Sequence, residues 1–130
     1  MTNTNDGHLA SILIVEDSPP QALKLKLTLE NTGCNVHWAE TGLGGLDMAQ
    51  QNHFDLIVLD IELPDINGFE VCKKLKANPQ LASIPVVMLT THDHADDVLN
   101  GLEVGADDYI PKDAFAEAVL LETIKQMNTN

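Results

Sequence analysis

The 130-residue sequence predicts a doubly wound α/β fold built on a parallel five-stranded sheet. Three observations carry this. Short apolar runs alternate five times with longer segments of helical character. Two of the runs, DLIVLD at 55–60 and PVVML at 85–89, are apolar almost throughout, as expected of strands covered on both faces. The length suits one domain, and a 44% hydrophobic composition can supply one core.

The elements follow in order. SILIV at 11–15 is the first strand. Ser18 is a candidate N-cap, with Pro19 and Pro20 in the first turn and Gln21 at the capping-box spacing. Leu23, Leu25, Leu27 and Leu29 alternate with polar residues in strand fashion, but the capping signals and the length favour a helix, ended by Gly33. CNVHWA at 34–39 reads as a strand. Thr41 caps a helix carrying Leu43, Leu46, Met48 and Ala49, and DLIVLD follows as a buried strand. Gly68 opens a helix with Phe69, Val71, Cys72 and Leu75, which stops near Asn78-Pro79. PVVML is the fourth strand, 95–104 a helix ended by Gly105, ADDYI at 106–110 the fifth strand, and 114–127 the last helix. The domain is expected over 10–127, with tails at 1–9 and 128–130. The usual strand order of such a sheet is 2-1-3-4-5, with the functional site where the winding reverses, at the C-terminal ends of strands 1 and 3.

Composition narrows the function classes. Net charge is -13, from 20 acidic against 7 basic residues. No basic patch is present to neutralise phosphates, so direct nucleic-acid binding is not expected; an acidic surface suits a cation or a basic partner. No run approaches the ~18 apolar residues of a membrane span, and the N-terminus lacks a signal-peptide pattern. Cys34 and Cys72 form no spacing motif and read as small buried groups of a reduced, cytoplasmic chain.

The strand ends carry the chemistry. Strand 1 ends in Glu16-Asp17, strand 3 in Asp60 and strand 4 in Thr90-Thr91, while Lys112 follows strand 5. In the expected order these converge on one edge. Carboxylates about 4 Å apart repel by roughly 4 kcal/mol at an effective dielectric near 20, so the group needs a counter-cation. Oxygen ligands select a hard ion such as Mg²⁺, which keeps coordination sites for water or phosphate. Lys112 offers a compact charge for phosphate and Thr90 a hydroxyl donor. A carboxylate so surrounded can attack phosphorus and form an aspartyl phosphate.

With these residues in place, the sequence resembles the response-regulator receiver domains of two-component signalling, of the chemotaxis-regulator-like kind, over about residues 10 to 127. The resemblance rests on Glu16-Asp17, Asp60 within LDIELPDINGFE, Thr90, Tyr109 within GADDYI, and Lys112. It implies a flavodoxin-like (βα)5 sandwich with Asp60 as phosphoacceptor. Weakly bound Mg²⁺ would sit directly on Asp17 and Asp60, on Glu16 through water and on the backbone carbonyl of Glu62. Thr90 and Lys112 would hold the phosphoryl group, and Thr90 and Tyr109 would act as switch residues. The donor would be a histidine kinase or histidine phosphotransfer protein. A downstream target protein would read the face built by the helix at 95–104, the strand at 106–110 and the helix at 114–127. No membrane association is implied. Such a domain is a signalling phosphoswitch and not an enzyme, beyond its own phosphorylation and dephosphorylation.

Two places depart from the family pattern. Thr91 stands where a small residue is usual, and Lys112-Asp113-Ala114-Phe115 stands where Lys-Pro-Phe is common. A cis bond before a non-proline residue costs about 2.5–4 kcal/mol. The sequence therefore predicts a trans Lys112-Asp113 bond, Asp113 as helix cap and Lys112 still reaching Asp60. Ala116, Ala118, Val119, Leu120 and Leu121 form an apolar stretch wider than one core stripe, expected to meet a partner or a second copy on phosphorylation. The chain would then be a monomer or a phosphorylation-linked weak dimer.

Rival readings are an Mg²⁺-dependent phosphohydrolase using Asp60 as nucleophile with Glu62 as acid-base, and a pseudo-receiver that binds partners without phosphorylation. His92 and His94 read as solvated loop residues, and His37 and His53 carry no pattern.

Overall fold

The computed structural model describes residues 10–90, 105–113 and 115–128. Its elements are β1 (Ser11–Val15), α1 (Pro19–Glu30), β2 (Asn35–Ala39), α2 (Gly42–Gln51), β3 (Leu56–Asp60), α3 (Gly68–Ala77), β4 (Val86–Thr90), β5 (Asp108–Pro111) and α4 (Ala116–Asn128). The five strands are parallel and ordered β2-β1-β3-β4-β5. The expected helix at 95–104, together with Thr91, His92 and His94, lies outside the described residues.

Alternation along the strands divides the core into two layers. Leu13 and Val15 of β1, Ile57 and Leu59 of β3, and Val86 and Met88 of β4 face one layer. Ile12, Ile14, Leu56, Val58, Val87 and Leu89 face the other, where Leu25 and Leu29 of α1 and Leu120 and Ile124 of α4 cover them. Both faces are thus buried, which is why these strands are apolar runs without alternation.

α1 resolves the strand-like leucine pattern in favour of the helix. Ala22, Leu25 and Leu29 are buried, whereas Leu23 and Leu27 stay exposed. The expected capping box does not form. Ser18 occupies the N-cap, but its side chain makes no capping bond. Pro19 and Pro20 remove two of the amides that need a partner, and the Ser18 amide donates to Glu16 Oε2 at 3.1 Å. Gln21 is thereby free of a capping role. Thr41, by contrast, caps α2 by accepting from the Gly44 amide at 2.9 Å. Helix α3 has its N-cap at Asn67, whose side chain accepts from the Phe69 amide at 2.7 Å.

β5 begins at Asp108, two residues later than expected. Asp107 is occupied in joining β4: its amide donates to the Val86 carbonyl at 2.8 Å, and its carboxylate accepts from the Val86 amide at 2.8 Å. Pro111 is tolerated because β5 is an edge strand. On α4, Ala116, Leu120 and Ile124 are buried at helical spacing, while Val119 is exposed. The apolar stretch is therefore partly core and partly surface. Cys34 and Cys72 are buried thiols outside any disulfide, and burial pushes the Cys72 thiol up to about 11.

Candidate functional site

The winding reverses between β1 and β3, and the helices that follow them, α1 and α3, pack on opposite faces of the sheet. The β1 ladder extends one residue, with the Glu16 amide donating to the Ala39 carbonyl at 3.0 Å. That turns the Glu16 side chain inward, where it is 1% exposed, while Asp17 stays open to solvent. The Trp38 indole N–H fastens this turn by donating to the Glu16 carbonyl at 2.7 Å.

Asp60 ends β3 and is buried. The start of α3 presses directly on the chain behind it. The Gly68 amide donates to the Ile61 carbonyl at 2.8 Å, and a Cβ at Gly68 would collide with the Asp60 carbonyl oxygen and lie 2.7 Å from Ile61 Cα. Glycine is required here by close approach of two backbones.

One carboxylate oxygen each from Glu16, Asp17 and Asp60 gathers within 4.8 Å. Lys112 closes the group. Its ammonium donates to Glu16 Oε1 at 2.8 Å, pairs with Asp60 Oδ2 at 3.0 Å and donates to Gln21 Oε1 at 2.9 Å. Three acceptors use all three ammonium protons. Burial alone would lower the Lys112 pKa, but the bonds to Glu16 and Asp60 outweigh it and hold the ammonium above its ordinary value. Burial pushes the Glu16 carboxyl up, against the Lys112 bond, and the nearby Asp60 charge adds to the rise. One ammonium among three carboxylates leaves a net negative hollow. Its donors are all oxygens, which suit a hard divalent cation. The counter-charge expected from sequence is thus partly internal: Lys112 neutralises part of the cluster before any ion binds.

The remaining residues named from sequence fall around this group. Thr90 is buried at the end of β4, and its carbonyl accepts from the Lys112 amide at 2.6 Å. Tyr109 is half-buried on β5 against the core layer that holds Met88. Glu62 is exposed and its carboxylate is outside the cluster. No cis peptide bond occurs among the described residues, so Lys112-Asp113 is trans. Asp113 caps the approach to α4, its carboxylate accepting from the Phe115 amide at 2.8 Å and its carbonyl from the Ala116 amide at 3.2 Å. Lys112 reaches Asp60 from this turn, as the sequence led us to expect.

Two contributors escaped the sequence reading. Gln21 looked like a capping residue, and only its position in the first turn after the acidic pair hinted at the site. Trp38 lies 22 residues from Glu16, and no local pattern connects them.

The family model described as "Response regulator receiver domain" matches residues 12–125. The chain is 40% identical over 116 residues to protein PilH of Pseudomonas aeruginosa, covering 89% of this chain and 95% of PilH. It is 41% identical over 112 residues to response regulator ArlR of Staphylococcus aureus, covering 86% of this chain but only 50% of ArlR. The solved structure of chemotaxis protein CheY4 of Vibrio cholerae superposes with a TM-score of 0.85 at 32% identity, covering 92% of this chain and 98% of that one.

Proposed function

The chain belongs to the response regulator receiver domain family, a phosphoaccepting domain of two-component signalling, and on that footing we propose that Asp60 is its phosphoacceptor. The observation that carries this is the pairing of Asp60 with Lys112 at 3.0 Å inside the acidic cluster at the end of β3. A carboxylate oxygen of Asp60 attacks the phosphorus of a phosphohistidine. The P–N bond breaks as the P–O bond forms, and the imidazole nitrogen leaves with the bonding pair. Lys112 keeps its charge throughout and neutralises phosphoryl oxygens as they arrive. Thr90, buried beside this edge, donates its hydroxyl to the phosphoryl group and shifts with it, and Tyr109 follows as the second switch residue.

Receiver domains bind Mg²⁺ at an acidic pocket, and the donor set fits such an ion. Asp17 and Asp60 would hold it directly, with the Glu62 carbonyl as a further ligand. Both Glu16 oxygens already accept N–H donors, from Lys112 and Ser18, which supports an indirect role for Glu16. When bound, the ion supplies positive charge to the phosphoryl oxygens during transfer.

The domain is a signalling module, and phosphorylation and dephosphorylation are its own chemistry. Receiver domains work with histidine kinases or phosphotransfer proteins and with downstream effectors. Here the effector surface includes β5, Phe115 just before α4 and the exposed part of α4; Phe115 is 71% and Val119 45% exposed. We place the domain in the cytoplasm, where such donors work; no helix among the described residues is long and apolar enough to cross a membrane. The phosphohydrolase reading loses its main support, since Glu62 is exposed and outside the cluster.

The test is intact-mass measurement after incubation with Mg²⁺ and acetyl phosphate. One phosphoryl group located on Asp60 is expected. A chain that gains none, or gains it elsewhere, would overturn the assignment.

A further inference from the structure

Lys112 stands on a turn whose own hydrogen bonds hold Asp113, Phe115 and Ala116 but not the lysine side chain. The ammonium is instead aimed by its acceptors. Two of these, Glu16 and Asp60, are members of the acidic cluster that a cation or phosphoryl group would engage. The third, Gln21 Oε1 at 2.9 Å, is neutral and belongs to α1. It is the one acceptor of Lys112 that neither metal nor phosphoryl chemistry draws away. The helix bearing it is held against the segment after Lys112. Glu117 of α4 accepts from Thr28 Oγ1 at 2.8 Å and pairs with Lys24 at 3.3 Å.

We propose that Gln21 is a positioning residue for phosphoryl transfer: it anchors the Lys112 ammonium from α1, so that one proton stays directed at the Asp60 carboxylate as the phosphoryl group arrives. This rests on the phosphoacceptor reading of Asp60. The neutrality of Gln21 matters, because a carboxylate in its place would bind Lys112 at the expense of the phosphoryl group. A loss of this anchor leaves the ammonium able to swing toward Glu16 alone, which costs orientation but not fold. An ordinary net hydrogen bond sets the scale, giving a roughly three- to tenfold slower transfer.

The experiment uses the full chain and Gln21→Met, which keeps length and volume but offers only a weak sulfur acceptor. The first readout is the rate of adduct formation from acetyl phosphate with saturating Mg²⁺. The second is the side-chain ammonium ¹⁵N resonance of Lys112, assigned by its disappearance in Lys112→Met and recorded without metal or donor. An ammonium with three acceptors exchanges its protons slowly with water, and Gln21→Met should broaden that resonance while Gln21→Glu, which restores an acceptor, should retain it. Slowed transfer together with the broadened resonance, at unchanged melting temperature and Mg²⁺ affinity, supports the assignment. An adduct rate within twofold of wild type, or an ammonium resonance that survives in Gln21→Met, overturns it. A wild-type chain that forms no adduct refutes the phosphoacceptor reading instead, and the resonance alone then decides whether Gln21 holds Lys112.

Discussion

The two ends of the sheet both carry acids, and they use them in opposite ways. At the N-terminal end, Asp55 accepts from the Ser11 amide at 2.8 Å, and Asp107 accepts from the Val86 amide at 2.8 Å and from Lys76 at 3.0 Å. Lys76 also donates to the Ala82 and Ile84 carbonyls at 3.1 and 2.8 Å. Each carboxylate there meets a backbone amide that starts a strand, and the cation is shared with carbonyls. At the C-terminal end, Glu16, Asp17 and Asp60 face one another, and a single ammonium serves Glu16 and Asp60. The first arrangement satisfies strand ends and stabilises the fold. The second leaves like charges together, and burial, with a smaller push from the Asp60 charge, holds the Glu16 carboxyl above its ordinary value. Carboxylates that face one another, with only Glu16 tied to a backbone amide, mark the working edge.

The sharpest way to break this contrast is Asp60→Asn. It should reduce the phosphoryl adduct below detection by mass measurement, with the melting curve still cooperative. An adduct of wild-type yield would mean that the C-terminal cluster is not the phosphoacceptor site. At the other end, Lys76→Met should lower stability in urea by about 1–3 kcal/mol, towards the lower figure because Asp107 is half exposed. Adduct yield should not change. A loss of phosphorylation in Lys76→Met with no loss of stability would erase the division of labour between the two ends.

Mg²⁺ should act only at the C-terminal end. At one hundred times its dissociation constant it should stabilise the chain by about 2.7 kcal/mol, read as a rise in melting temperature. Asp17→Ala should remove the response, and an equal rise in that variant would exclude Asp17 as a ligand.

The smallest effects are in pH and have opposite signs. Asp65 is held below its ordinary value of 3.8, chiefly by the Leu43 amide and also by the Gly42 amide, which it accepts at 2.8 and 2.9 Å. A lowered carboxyl contributes stability above its unfolded value and loses it as pH falls through the folded one. The stability advantage of wild type over Asp65→Asn should therefore shrink on acidification. Glu16 is raised above 4.5 by burial, so its contribution is present below that value and fades as pH rises through the folded one. Measured with chelator present, Glu16→Gln should gain on wild type as pH rises from about 4 to 7. Parallel trends in the two variants would show that burial does not govern Glu16.

Much of this was determined by local pattern. Apolar runs of strand length, separated by capped helical segments, leave few arrangements other than a doubly wound sheet. Since the C-terminal ends of parallel strands lie together, the topology alone brought Glu16-Asp17, Asp60, Thr90 and Lys112 to one edge. A trans bond before Asp113 followed from the cost of the alternative, and its capping role from its residue type, although α4 begins at Ala116 and not near Ala114. What required tertiary structure was every decision between competing partners for one polar group. Gln21 satisfied the capping-box spacing, yet Glu16 takes the Ser18 amide and Gln21 turns to Lys112, 91 residues away. Asp107 reads as part of the strand at 106–110, but its carboxylate is claimed by the Val86 amide and Lys76. Periodicity and propensity act over a few residues and are written in the order of the chain. The choice among hydrogen-bond acceptors is made by whichever groups the packed core brings within 3 Å, and that distance exists only once the sheet has closed.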